Sequence, residues 1–221
     1  MLDLEITVDA TDDPTDVVSV AEMRRHLKIP TTITAYDAEL ADYIASALGI
    51  LEGPGKELNR SIRAVTYTRY LNKFPDLVNS RGKVKATLGG PIRLPYPDLI
   101  EVVSITIPGD SPEETVEAST YVVKRQPMVP ELWPVTRWPV VVEQERAIAI
   151  TYRAGYTDYS VTTGVMPMIR QYIKMLAGHY FETREITENE SRMLAINRKV
   201  EFGGDYLRNI LQVPKAMDDW E

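Results

Sequence analysis

The sequence predicts an α+β fold, and three features predict it. Apolar residues recur at helical spacing near the N-terminus and again towards the C-terminus. Between them the period changes to alternation, carried by β-branched and aromatic residues and cut by Pro and Gly. No long crossover helices separate these strands, which argues against a parallel α/β sheet and for a small antiparallel sheet or barrel-like insert.

Taken in order, Ser19-Val20-Ala21-Glu22 reads as a capping box, with Ser19 as N-cap and Glu22 at the third helical position. The helix runs to about Leu27 and stops before Pro30. Thr34-Ala35-Tyr36-Asp37 resembles a second capping box. Beyond it Leu40, Ile44, Ala47, Leu48 and Leu51 make a stripe, ended by Gly53-Pro54-Gly55. Residues 63–71 place Val65, Tyr67 and Leu71 on one face and Ala64, Thr66, Thr68 and Tyr70 on the other, a strand pattern. Further strands are expected at 83–88, 91–94, 100–107, 120–125 and 146–153. Pro167 suits a helix start. Ile169, Tyr172, Ile173, Leu176, Ala177, Tyr180 and Phe181 then form an apolar stripe. A shorter helix is expected at 188–198, a break at Gly203-Gly204 and a last amphipathic helix at 205–212.

This divides the chain into an acidic N-terminal arm (1–18), N-terminal helices (19–62), an antiparallel β subdomain (63–160), C-terminal helices completing a helical body (161–198) and a C-terminal tail (199–221).

Composition narrows the chemistry. With 221 residues, 44% of them hydrophobic, the chain can bury one core, or a core with a subdomain. It has no Cys, which excludes disulfides, zinc–thiolate sites, iron–sulfur clusters and thiol nucleophiles, and suits a reducing cytoplasm. The N-terminus lacks the pattern of a signal peptide, and no apolar run is long enough for a membrane span. The formal charge of −7 sits at the ends. Asp3, Glu5, Asp9, Asp12, Asp13 and Asp16 fall in 1–18 with no Lys or Arg, and Asp218, Asp219 and Glu221 close the chain, so residues 19–217 come to +2. Charged termini of this kind are expected to be solvated.

No catalytic, metal or cofactor set stands out. Gly55-Lys56 lacks the first Gly and the final Ser/Thr of a phosphate loop and follows a helix, so it reads as a helix stop. His26 and His179 lie far apart and lack a nucleophile with an orienting carboxylate; both read as structural. Glu113-Glu114 and Asp12-Asp13 read as solvated acids. Arg60, Arg63, Arg69, Lys73, Arg81, Lys83 and Lys85 collect in the first β segments and read as a solvated face, with no recognition helix or stacking motif beside them. Trp133 and Trp138 lie in a Pro-rich loop, where they either face a partner or cap the core. Trp220 in the acidic tail is either an anchor for a partner or disordered. Tyr206, Leu207, Ile210, Leu211 and Val213, on and just after the last short helix, are the remaining partner-interface candidates. That helix is marginal alone and needs either a partner or its own body to fold against.

A series of local strings resembles the head–tail connector (adaptor) proteins of tailed bacteriophages, the ring below the portal. Ser19 to Leu27 is similar to that family's opening helix "L-x-E-x-K-x-H-L", and Asp37 to Ala47 to its second. Arg93-Leu94-Pro95-Tyr96-Pro97 through Val102-Val103-Ser104-Ile105 resembles "L-P-x-x-P-v-x-x-V-x-s-I". Tyr121-Val122-Val123 and Trp138-Pro139 follow in order. Ile148 to Tyr156 resembles "I-x-V-x-Y-x-A-G-Y", and Val165-Met166-Pro167 with His179-Tyr180-Phe181-Glu182-Thr183-Arg184-Glu185 resembles the closing helix. The strings span 19–185; the arm before Ser19 and the tail after about Lys199 depart from the pattern.

The resemblance implies a non-enzymatic virion protein without cofactor or metal, located in the neck and made in the host bacterial cytoplasm. It implies a homo-oligomeric ring, generally a dodecamer, whose body is helical and whose β insert projects. It implies the portal protein and a stopper, tail-completion or tail-tube protein as partners. Genomic DNA would pass through the ring without sequence-specific binding, and no membrane is involved. A ring needs a heterologous interface that closes, and a DNA channel should avoid a cationic grip on phosphate. The alternative left open by the residues alone is a small non-catalytic binding module, or a hydrolase-like domain, using the Trp133–Trp138 loop.

Overall fold

A computed structural model describes residues 4–8, 13–76, 89–108, 114–126, 128–183 and 204–213. Its elements are β1 (Leu4–Val8), α1 (Pro14–Val17), α2 (Val20–His26), α3 (Asp37–Leu51), β2 (Val65–Leu71), β3 (Ile92–Arg93), β4 (Leu99–Ile107), β5 (Glu114–Thr115), a 3₁₀ turn (Ala118–Thr120), β6 (Tyr121–Lys124), β7 (Glu131–Pro134), β8 (Ile148–Ala154) and α4 (Met166–Glu182). Residues 204–211 are also helical and are called α5. Helices and antiparallel strands together make the fold α+β. The expected strand at 83–88 and helix at 188–198 lie outside the described residues.

The chain forms two compact units. One holds Arg60–Tyr156 with β1; the other holds Thr11–Asn59 and Thr157–Gln212.

In the helical unit, α2 starts as its sequence dictates. The Ser19 hydroxyl accepts from the Glu22 N–H at 3.2 Å, and the Glu22 carboxylate accepts from the Ser19 N–H at 3.3 Å. Asp13 and Asp16 make a second reciprocal cap on the short α1. Helix α3 differs from expectation: it begins at Asp37 behind Tyr36, with no side-chain cap. Thr34 contributes only its carbonyl, to the Asp37 N–H at 3.1 Å. Leu40, Ile44, Ala47, Leu48 and Leu51 are all buried, as the stripe requires. Helix α4 carries Pro167 in its first turn and buries Met166, Ile169, Tyr172, Ile173 and Ala177. It packs on α3 and α2, and Arg170 forms an ion pair with Glu22.

The β unit contains two antiparallel sheets, ordered β1-β2-β8-β4-β5 and β3-β7-β6. The pairing of β2 with β8 sets Tyr67 opposite Tyr152. Both rings are buried and stack at 5.5 Å, with Tyr96 5.1 Å from Tyr67. The register between β4 and β8 shifts at Leu99–Glu101 and again at Val102–Ser104, irregularities of the β-bulge kind. The acidic stretch expected to be a solvated arm contributes to folded structure: Leu4–Val8 pairs residue by residue with Val65–Arg69 of β2. The Pro-rich stretch expected to be a loop is also corrected, since Glu131–Pro134 is the central strand of the smaller sheet. At the end of β8, Gly155 has φ +115°, and a Cβ there would lie 2.0 Å from the Arg63 carbonyl oxygen, so only glycine fits.

Candidate partner interface

Helix α5 has two faces. Its inner face packs on its own unit: Leu211 is fully buried, and a Cβ on Gly204 would sit 3.4 Å from the Tyr172 ring. Arg208 lies 4.0 Å from the Glu57 carboxylate and 2.8 Å from Asp205. The Tyr172 hydroxyl donates to Glu57. Burial and that carboxylate hold the Tyr172 hydroxyl well above its usual range, so it stays a donor. The outer face presents Tyr206, 66% exposed, and Ile210, 39% exposed, one helical turn apart. Leu207 is half-buried. Leu211 and Val213 are buried within this chain, which corrects their reading as partner contacts: a side chain already out of water has no surface to offer. Trp220 lies outside the described residues.

The two tryptophans separate. Trp133 sits in β7, half-buried, with its indole N–H donated to Glu131 at 2.8 Å and the Lys124 ammonium 4.1 Å above its ring. Trp138 is core: it is 5% exposed, stacks on Phe74 at 5.0 Å and donates its N–H to the Gly90 carbonyl at 2.8 Å. Of the two possibilities for Trp138, capping the core is the one observed.

Among the described residues, the basic side chains do not form a continuous free face. Arg60 is buried, Arg69 donates to the Arg93 carbonyl, and Arg93 pairs with Glu131 at 3.2 Å. Lys73 pairs with Glu143 at 3.4 Å. Arg81, Lys83 and Lys85 lie outside the described residues.

One cluster has no signal in local sequence. The Arg60 guanidinium donates to the Tyr156 hydroxyl at 3.3 Å and lies 3.6 Å from the Asp98 carboxylate, while Tyr156 donates its own proton to Asp98. Burial and Asp98 raise the Tyr156 hydroxyl far above its usual range. Arg60 and Tyr156 are the first and last residues of the main β segment, so both ends of that segment meet on one carboxylate. His26 and His179, distant in sequence, line one cleft of about 400 Å³ with Lys28, Met175 and Glu182. Partial burial, then the nearby Lys174, lower the His26 pKa below 6.5. Among the described residues no group of three or more His, Cys, Asp or Glu is placed to hold a metal ion, and no helix is long and apolar enough to cross a membrane.

No family model matches the chain, and no curated protein does. Solved structures do. A chain from the neck of an empty gene transfer agent particle, computed with C6 symmetry, superposes with a TM-score of 0.66 over 96% of this chain and 97% of that one. This chain shares the fold of that neck chain. The sequences are 18% identical, so the fold is what the two share. A chain from the virion of a native gene transfer agent particle matches at a TM-score of 0.64 and 17% identity, over 96% and 97% of the two chains. A chain from the native particle's neck, computed with C12 symmetry, matches at 0.60 and 18%, over 98% and 97%. The neck fold agrees with the connector resemblance in the sequence.

Proposed function

We propose that this chain is a structural virion protein, a head–tail connector subunit that forms a ring between the portal and the stopper or tail and extends the DNA channel. The helical unit forms the ring body, the β unit projects from it, and twelve-fold symmetry is the expected copy number. The observation that carries the reading is fold agreement over 96% of this chain with a neck protein spanned almost end to end. The chemistry agrees with it. The cations Arg60, Arg69 and Arg93 are engaged within the β unit, which suits a channel that lets DNA slide. Helix α5 is tied down through its own Arg208, which reaches the Glu57 carboxylate that also accepts from Tyr172, and it offers Tyr206 and Ile210 outward, a compact anchor for the portal. The alternative binding module loses half of its aromatic loop to the core, because Trp138 is buried.

The test is to mix the purified chain with the portal of its own particle and image the product. A ring on the portal, of C6 or C12 symmetry, is expected; absence of any ring, free or portal-bound, overturns the reading. The α5 assignment has its own test. Changing Tyr206 to Ala and Ile210 to Asp should abolish portal capture while folding stability stays within about 0.5 kcal/mol of the parent, since both side chains already face solvent. Unchanged capture would move the portal contact elsewhere.

A further inference from the structure

Directly after the buried Trp138, residues 139–142 read Pro-Val-Val-Val and run without regular secondary structure. Val141 packs against the β-unit core. Val140 and Val142 are 92% and 81% exposed, more than any other large hydrophobic side chain among the described residues. The run therefore alternates out, in, out, as a strand does. Among the described residues, the backbone of Val140, Val141 and Val142 makes no hydrogen bond. β-Branched residues with open backbone groups and an apolar outer row are what an added strand supplies. In the smaller sheet, β6 pairs only with β7 among the described residues, and no described strand covers its other edge. That edge presents Val122, 51% exposed.

We propose that residues 140–142 of one copy add as a short parallel strand to the β6 edge of the next copy. This rests on the ring reading. Charge picks the occupant and the direction. The donor run continues into exposed Glu143 and Glu145, and β6 continues through Lys124 into Arg125, both exposed. With Val140 beside Val122, parallel alignment places Glu143 beside Arg125, whereas antiparallel alignment separates the charges. Arg125 is held in place by the carbonyls of Leu99 and Ile100, each at 2.9 Å, and Lys124 by the Trp133 ring. The Glu143–Lys73 pair is solvent-exposed and holds Glu143 only weakly against recruitment. Donor and acceptor are different patches, so the contact is head-to-tail, the type from which a closed ring is built. So short a strand sets register between subunits and leaves most of the interface area to other surfaces.

The chain has no cysteine, which makes a direct test simple. Val140→Cys and Val122→Cys proteins are prepared separately, with Val103→Cys as an exposed control on β4, and oxidised under ring-forming conditions, alone and mixed. The mixture of Val140→Cys with Val122→Cys should give a disulfide dimer at least tenfold in excess of either protein alone or of mixtures with the control. Separately, replacing Val140 and Val142 with Lys should lower the ring fraction at least tenfold without shifting the unfolding midpoint. Rings seen by imaging without that cross-link, or an equal cross-link from Val140→Cys alone, overturn the strand addition and leave the ring reading standing. Failure of the parent protein to form rings, free or with the portal, overturns the ring reading and the inference with it.

Discussion

In the helical unit, α2 starts on a reciprocal cap between Ser19 and Glu22, three residues apart. The β unit closes on Arg60 and Tyr156, 96 residues apart, with Asp98 between them. The difference is one of contact range. Local caps and i, i+4 stripes close short loops, and losing one removes a local increment. Long-range closures exist only once the chain between them is folded, so their loss is felt by the whole unit.

The sharpest way to break this contrast is Gly155→Ala. Its added Cβ meets the Arg63 carbonyl at 2.0 Å in a left-handed backbone, so a cost beyond about 4 kcal/mol is expected, read as loss of near-ultraviolet tyrosine signal from the β unit. A parent-like denaturation midpoint would mean that the closure tolerates displacement. Trp138→Ala comes next. Removing a buried indole stacked on Phe74 should cost about 3–5 kcal/mol in chemical denaturation. A loss below about 1 kcal/mol would return Trp138 to the surface role considered from sequence. On the helical side, Ser19→Ala should cost only about 1 kcal/mol, the value of one cap.

The smallest effect is on pH dependence. Burial alone would raise the Glu22 carboxyl, but the Arg170 hydrogen bond and the Ser19 N–H outweigh it and hold it below 4.5. Its contribution is therefore present above pH 4.5 and lost as pH falls further. His26 is lowered from 6.5, so the unfolded chain takes up that proton first, and stability falls as pH drops through 6.5. Glu22→Gln should flatten the lower limb of the stability–pH curve and His26→Asn the upper one; limbs unchanged in both variants would remove these two groups as the cause.

The same contrast explains what was legible beforehand. The stripe Leu40, Ile44, Ala47, Leu48, Leu51 and the Ser19 cap are written in residues three to four apart, and they came out as read. Leu4-Glu5-Ile6-Thr7-Val8 does alternate, but its acidic surroundings spoke for a solvated arm, and its partner β2 lies some sixty residues on. Pro130 and Pro134 bracket β7 and disguised a central strand as loop, because proline normally interrupts a ladder. The partner candidates on α5 split by burial: the amphipathic pattern identified a helix with an inner and an outer side, and only packing decided that Leu211 belongs to the first. The Arg60–Asp98–Tyr156 cluster joins residues that no local pattern links.

Because Arg60 and Tyr156 meet at one carboxylate, the helical unit is interrupted in sequence but the β segment between them is continuous. During synthesis this sets an order of events. At about 5–20 residues per second, the roughly 100 residues of the β segment take on the order of 5–20 s to emerge. For that interval α3 has been made and α4 has not, so the row from Leu40 to Leu51 waits without the helix that will cover it. The nascent chain thus carries a sticky amphipathic helix past a β unit already able to close, and chaperones have a defined window in which to shield it.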